Sequence, residues 1–140
     1  MKQEEILEYN KRCAEFLGYT FSHYTNDKSK ATPEIKFVWG AEAEILKRCN
    51  AWWRCSKTPD DNFSWNFPSD LLFHSNWNWI HEVVEAIENK GYDVFINGLY
   101  CRITDSGMTD FEIESGAATT KQEAVVQAIN QFLIWYNENN

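Results

Sequence analysis

One dipeptide constrains the fold more than any other feature. Asn97-Gly98 stands between two β-rich runs, Tyr92–Ile96 and Leu99–Ile103. Asn-Gly in that setting predicts a hairpin, because a type I′ loop needs two residues that tolerate positive φ. The loop also predicts a register: Ile96 opposite Leu99, Val94 opposite Cys101, and Tyr92 opposite Ile103. These six share a mostly apolar face. The other face pairs Phe95 with Tyr100 and Asp93 with Arg102, an aromatic pair and a charge pair. Asp105-Ser106-Gly107 makes the next turn, and the alternation of Phe111 and Ile113 with Glu112 and Glu114 predicts a third strand over 110–115.

Helices flank this meander. Ser75 is a favourable N-cap, and Trp77, Ile80, Val84 and Ile87, widened by Val83, form a helical stripe over 76–90 that ends at Gly91. Thr120 and Glu123 form a capping box for a last helix over 120–137, with Trp135 and Tyr136 on its broad apolar face. Near the N-terminus, Ile6, Leu7, Cys13, Ala14, Phe16 and Leu17 mark a helix over 3–17, with Gly18 as its stop. Between lie a polar loop over 20–34, a short strand Ile35–Trp39, a helix over 41–54 that includes Trp52 and Trp53, and a loop over 56–68.

The fold class expected is α/β in the α+β sense. It is an antiparallel three- to four-stranded sheet with helices on both faces and an αβββα C-terminal half. The helices at 76–90 and 120–137 cover one face; the N-terminal helix and the Trp-rich segment cover part of the other. The 140 residues suit a single domain, with a Trp-rich insertion at about 30–66.

Charge narrows the function. Residues 1–66 carry ten basic and ten acidic side chains, while 67–140 carry three basic and eleven acidic. The net charge of -8 therefore belongs to the C-terminal half. That excludes a general phosphate-binding surface, so direct nucleic-acid binding is not expected. The α-β-β-β-α order is shared with double-stranded RNA-binding domains, but their basic last-helix start is replaced here by Thr119-Thr120-Lys121-Gln122-Glu123. The opening Met1-Lys2-Gln3-Glu4-Glu5 has no apolar signal region, and no stretch approaches a membrane span. A soluble, cytoplasmic protein with reduced thiols is the expectation.

Three segments resemble a known family. They are Phe73-His74-Ser75-Asn76-Trp77-Asn78-Trp79-Ile80-His81-Glu82-Val83-Val84-Glu85, the hairpin core 94–103, and Thr120-Lys121-Gln122-Glu123-Ala124 with Trp135-Tyr136-Asn137-Glu138-Asn139. The opening helix ending Glu15-Phe16-Leu17-Gly18-Tyr19 also looks similar. Together they are similar to small phage and prophage proteins of the αβα-sandwich domain type, many from Bacteroidetes. The resemblance covers residues 1–20 and 70–139 and implies a phage origin, hence the cytoplasm of an infected bacterium, and a fold. It carries over no activity and no catalytic residues.

Candidate sites each have a plainer reading. His81-Glu82-Val83-Val84-Glu85 is half of a zinc-protease motif, but Glu85 stands where the second His belongs, so no metal is expected. Cys49 and Cys55 lack the spacing of a zinc knuckle, and no Gly-rich phosphate loop occurs, so no cofactor is expected. Trp52, Trp53, Arg54 and Trp65 form an aromatic cluster, either an interface or shelter for Phe95 and Tyr100. Glu82, Glu85 and Glu88 on a helix, with Asp105, Asp110, Glu112 and Glu114 on the sheet, form an acidic surface. It serves either solubility or a basic partner groove. The partner-binding residues expected are Trp52, Trp53, Arg54, Trp65, Glu82, Glu85, Glu112 and Glu114. The function expected is a non-enzymatic phage accessory protein that inhibits a host antiviral protein in the manner of an anti-CRISPR, with a nuclease or its nucleic-acid complex as target. Alternatives are a sponge for a nucleotide signal and a small Cys/His hydrolase.

Overall fold

A computed structural model describes residues 1–61, 64–105 and 111–140. They form two compact units, one of residues 1–17 with 72–140 and the other of residues 18–71. The protein is of mixed α+β class, with four helices and two three-stranded sheets among the described residues. The stretch at about 30–66 lies inside the second unit.

The first unit holds α1 (Gln3–Phe16), α3 (Trp77–Asn89), β4 (Tyr92–Asn97), β5 (Tyr100–Asp105), β6 (Glu112–Glu114) and α4 (Lys121–Asn139). Its strands run antiparallel in the order β4-β5-β6. α3 packs on β4 and α4 on β5, as the apolar stripes require. α1 packs on α4 instead of covering the far face of the sheet. The cause is its buried side, Tyr9, Asn10, Cys13 and Ala14, together with Phe16, whose ring meets Phe132 at 5.9 Å and Tyr136 at 5.3 Å. The core is formed by Ile80, Val83, Ile87, Cys101, Ile103, Val125, Ile129, Phe132 and Leu133, all fully buried.

The hairpin register differs from expectation. Asn97 pairs with Tyr100, Ile96 with Cys101, Phe95 with Arg102 and Val94 with Ile103. The loop is therefore Gly98-Leu99, one residue further on, and each residue's partner is shifted by two. Gly98 has φ +57° and Leu99 is not in the positive-φ region, the pattern of a type II′ turn, which needs only its first position left-handed. A shift of two preserves every face, so the apolar side survives and only the partners change. Phe95 now lies opposite Arg102, whose guanidinium sits 5.4 Å from the ring centroid. Of the turn and strand expected next, 106–110 lie outside the described residues.

The caps follow the sequence closely. α3 is capped by Asn76 rather than Ser75, its side chain accepting from the Asn78 N–H at 2.9 Å. Thr120 caps α4 by accepting from Glu123 N–H at 3.1 Å. The reciprocal bond goes one residue earlier: Glu123 accepts from the N–H and Oγ1 of Thr119.

The second unit holds β1 (Thr20–Thr25), β2 (Ile35–Phe37), α2 (Gly40–Arg48) and β3 (Trp53–Ser56). β1 is central, parallel to β2 and antiparallel to β3. The segment expected as a loop thus contains the middle strand. The helix expected to run to 54 stops at Arg48. Asn50, at φ 49°, supplies the left-handed residue of a Schellman motif: Ala51 N–H reaches Leu46 O at 2.9 Å and Asn50 N–H reaches Lys47 O at 3.3 Å. Ala51 then joins Val38, Ala43 and Leu46 in a small core, against which Tyr24 and Trp52 pack.

Candidate functional site

The expected aromatic cluster is divided by strand geometry. Trp53 and Arg54 are neighbours in β3, so their side chains leave opposite faces. Trp53 lies opposite His23, with its ring 5.5 Å from Phe21. Arg54 instead sits 4.7 Å from the Tyr24 ring centroid and 5.6 Å from that of Phe67. Its Nε donates to the Tyr24 hydroxyl at 3.1 Å and its Nη2 donates to the same oxygen. Its cation is engaged within its own unit. Trp52 is half-buried against the small core, and Trp65 is half-buried. The most exposed tryptophan is Trp39, at 75%, which the sequence pattern placed at a strand end without a role.

The expected acidic residues of α3 and β6 lie on the surface, Asp105 is half-buried, and Asp110 lies outside the described residues. Glu82, Glu85 and Glu88 are exposed along α3, and Glu112 and Glu114 are exposed on β6. Glu112 and Glu114 leave the same face of the strand and join residues that the sequence pattern did not assign to a site. The Tyr100 hydroxyl donates to Glu114 Oε1 at 3.0 Å. Arg102 Nη1 lies 3.7 Å from Glu112 Oε1 and over Phe95. Phe95 and Tyr100 rings stand 6.3 Å apart, edge to face. Phe95 is 47% exposed, so this side of the sheet presents an aromatic residue ringed by charge. The Glu112 carboxyl is held above the usual carboxylate range by its hydrogen bond with Glu114, then by reduced hydration and the neighbouring charge; Arg102 acts the other way.

Other candidates resolve into packing. His81 stacks on Trp77 at 5.5 Å. Among the described residues no group of three or more His, Cys, Asp or Glu side chains is placed to hold a metal ion. Trp77 and Trp135, expected in the core, are half-buried at its margin; Trp135 meets Phe111 at 4.1 Å. Burial raises the Cys13 thiol far above its ordinary range and pushes Cys55 up to about 12 and Cys101 up to about 11. A nucleophilic cysteine needs the opposite shift. Cys49 is exposed. His74 Nδ1 lies 3.1 Å from Asn10 Nδ2 and borders a pocket of about 200 Å³ with Thr120, Gln122 and Glu123. A second pocket, of about 290 Å³, is lined by Trp77, His81, Ile96 and Lys121.

Among the described residues no helix is long and apolar enough to cross a membrane. Searches against protein families, curated proteins and solved structures return no match for the chain.

Proposed function

We propose that this chain is a phage accessory protein of the αβα-sandwich type that binds and inhibits a host antiviral protein, with no chemistry of its own. The contact surface is the far face of the β4-β5-β6 sheet, and the partner presents a basic groove such as that of a nuclease. The observation that carries this reading is Phe95, 47% exposed, among Tyr100, Arg102, Glu112 and Glu114. An aromatic anchor inside a charged rim is the composition of an interaction hot spot. The first unit also concentrates the charge: residues 1–17 and 72–140 hold fourteen acidic and six basic side chains. Such a field accelerates encounter with a basic partner at low salt. The burial of Cys13, Cys55 and Cys101 weighs against a hydrolase built on any of those three thiols, and the engagement of Arg54 with Tyr24 weighs against a nucleotide sponge.

The test is protection. Host cells expressing the protein should lose antiviral interference against phage or plasmid, and Phe95→Ala with Glu112→Lys should restore it while the variant stays folded. Unchanged interference with the wild-type protein across the host's defence systems refutes the reading.

A further inference from the structure

We propose that the outer edge of β4 accepts an extended segment of the partner, alternating basic and apolar residues, as a fourth strand of the sheet. This rests on the protein-binding reading above and names the partner's segment.

The two edges of the sheet are built differently. β6 spans three residues and carries Glu112 and Glu114, a short and charged edge of the kind that resists further pairing. β4 spans six residues, paired with β5 in unbroken register with no bulge. It contains no Pro and no Lys, and its one charge, Asp93, leaves the far face. No described strand pairs with its outer side.

The register identifies the backbone groups on that side. The Ser115 N–H donates to Cys101 O at 2.8 Å, and the Cys101 N–H donates to Ser115 Oγ at 2.9 Å. Cys101 therefore turns its backbone away from β4. Its partner Ile96 must turn away from β5 in the same manner, and so must Val94 and Tyr92, because the ladder alternates. Three N–H and three C=O groups thus face outward. Val94 and Ile96 are only half-buried, whereas Cys101 and Ile103 next to them are fully buried.

The side chains of the added strand follow from the same alternation. Residues opposite Val94 and Ile96 fall on the helix side. There Ile96 lines the 290 Å³ pocket with Trp77, His81 and Lys121; an apolar residue packs on Ile96 and Trp77, and Lys121 disfavours a second cation at that place. The intervening residues fall on the far side with Asp93 and Phe95. There a cation matches the carboxylate and the exposed ring, as Arg102 already does from the opposite strand. Charge selects the occupant. A second copy would bring two units of net -8 together, whereas a basic segment neutralises that field.

The probe is the acetylated, amidated peptide Lys-Val-Arg-Ile-Lys-Val-Arg-Ile, titrated into the full chain with amide exchange read residue by residue. Exchange at Tyr92, Val94 and Ile96 should slow about tenfold or more, while Phe95, already bonded to β5, changes little. Of two peptides N-methylated at alternate residues, one should lose about tenfold in affinity and the other retain it, since only one edge of the peptide bonds. A Glu-for-Lys/Arg peptide should not bind. Unchanged exchange at the three amides, or equal binding of both methylated peptides, overturns the proposal. So does protection of the same amides that grows with protein concentration without peptide, which would assign the edge to a second copy. A host protein that binds through Phe95 yet leaves the three amides unprotected removes this proposal and leaves the protein-binding reading intact.

Discussion

The hairpin loop gives a sharp mutational contrast. With Gly98-Leu99 as the loop, Gly98 carries the positive φ of +57° and Asn97 is a strand residue paired with Tyr100. A Cβ at Gly98 would meet nothing within 4 Å, so Gly98→Ala acts through the backbone alone. Left-handed geometry costs an L-residue about 1–2 kcal/mol. The stiffer unfolded chain returns about 0.4–1 kcal/mol, which leaves a net loss of about 1 kcal/mol. Asn97→Thr places a β-branched residue at an exposed strand position and should be neutral or stabilising by a few tenths of a kcal/mol. An Asn97-Gly98 loop would reverse the second result, because Thr at a left-handed position loses about 1–2 kcal/mol. The assay is native-state amide exchange at Phe95 and Arg102, whose N–H groups cross the hairpin, supported by urea titration. A destabilising Asn97→Thr, or a harmless Gly98→Ala, refutes the register.

Further outcomes follow from the first unit. Phe132→Ala removes a fully buried ring that meets Phe16, Tyr92, Trp135 and Tyr136, and should lower unfolding stability in urea by about 3–5 kcal/mol. Thr120→Ala deletes the cap of α4 and should cost about 1 kcal/mol, whereas Thr120→Ser should cost little. Burial lowers the His74 pKa below its ordinary 6.5. The unfolded chain therefore takes up the proton first, and stability should fall as pH drops through about 6.5 towards the folded value. Subtracting the His74→Gln stability profile from that of the wild type should isolate this fall; a difference flat with pH contradicts it.

Periodic elements were legible in the sequence. α1, α3 and α4 follow stripes of apolar residues long enough to outvote local noise, and the hairpin faces survived because their alternation tolerates a shift of two. β1 escaped detection because Ser22 and His23 interrupt its apolar residues, Phe21 and Tyr24, and its pairing with β2 and β3 is non-local. α2 was overextended because Trp52 and Trp53 fall at helical spacing. The stop is a single left-handed Asn50, and Asn marks that position less plainly than the more usual Gly. For the site, the carboxylates Glu82, Glu85, Glu112 and Glu114 were placed on the surface by charge and alternation. Phe95 was not assigned, because an apolar residue on a charged strand face is more simply read as needing cover. The pairing of Trp53 with Arg54 as one cluster failed once 53–56 proved to be a strand.

Site-specific photocrosslinking tests the protein-binding reading most directly. A benzophenone amino acid replacing Phe95 in the full chain, irradiated in infected host cells, should give one dominant adduct with a host antiviral protein, weakened by Glu112→Lys. The same probe at Trp53 should give none. No adduct at Phe95, or adducts only at Trp53, contradicts the sheet face as the binding surface.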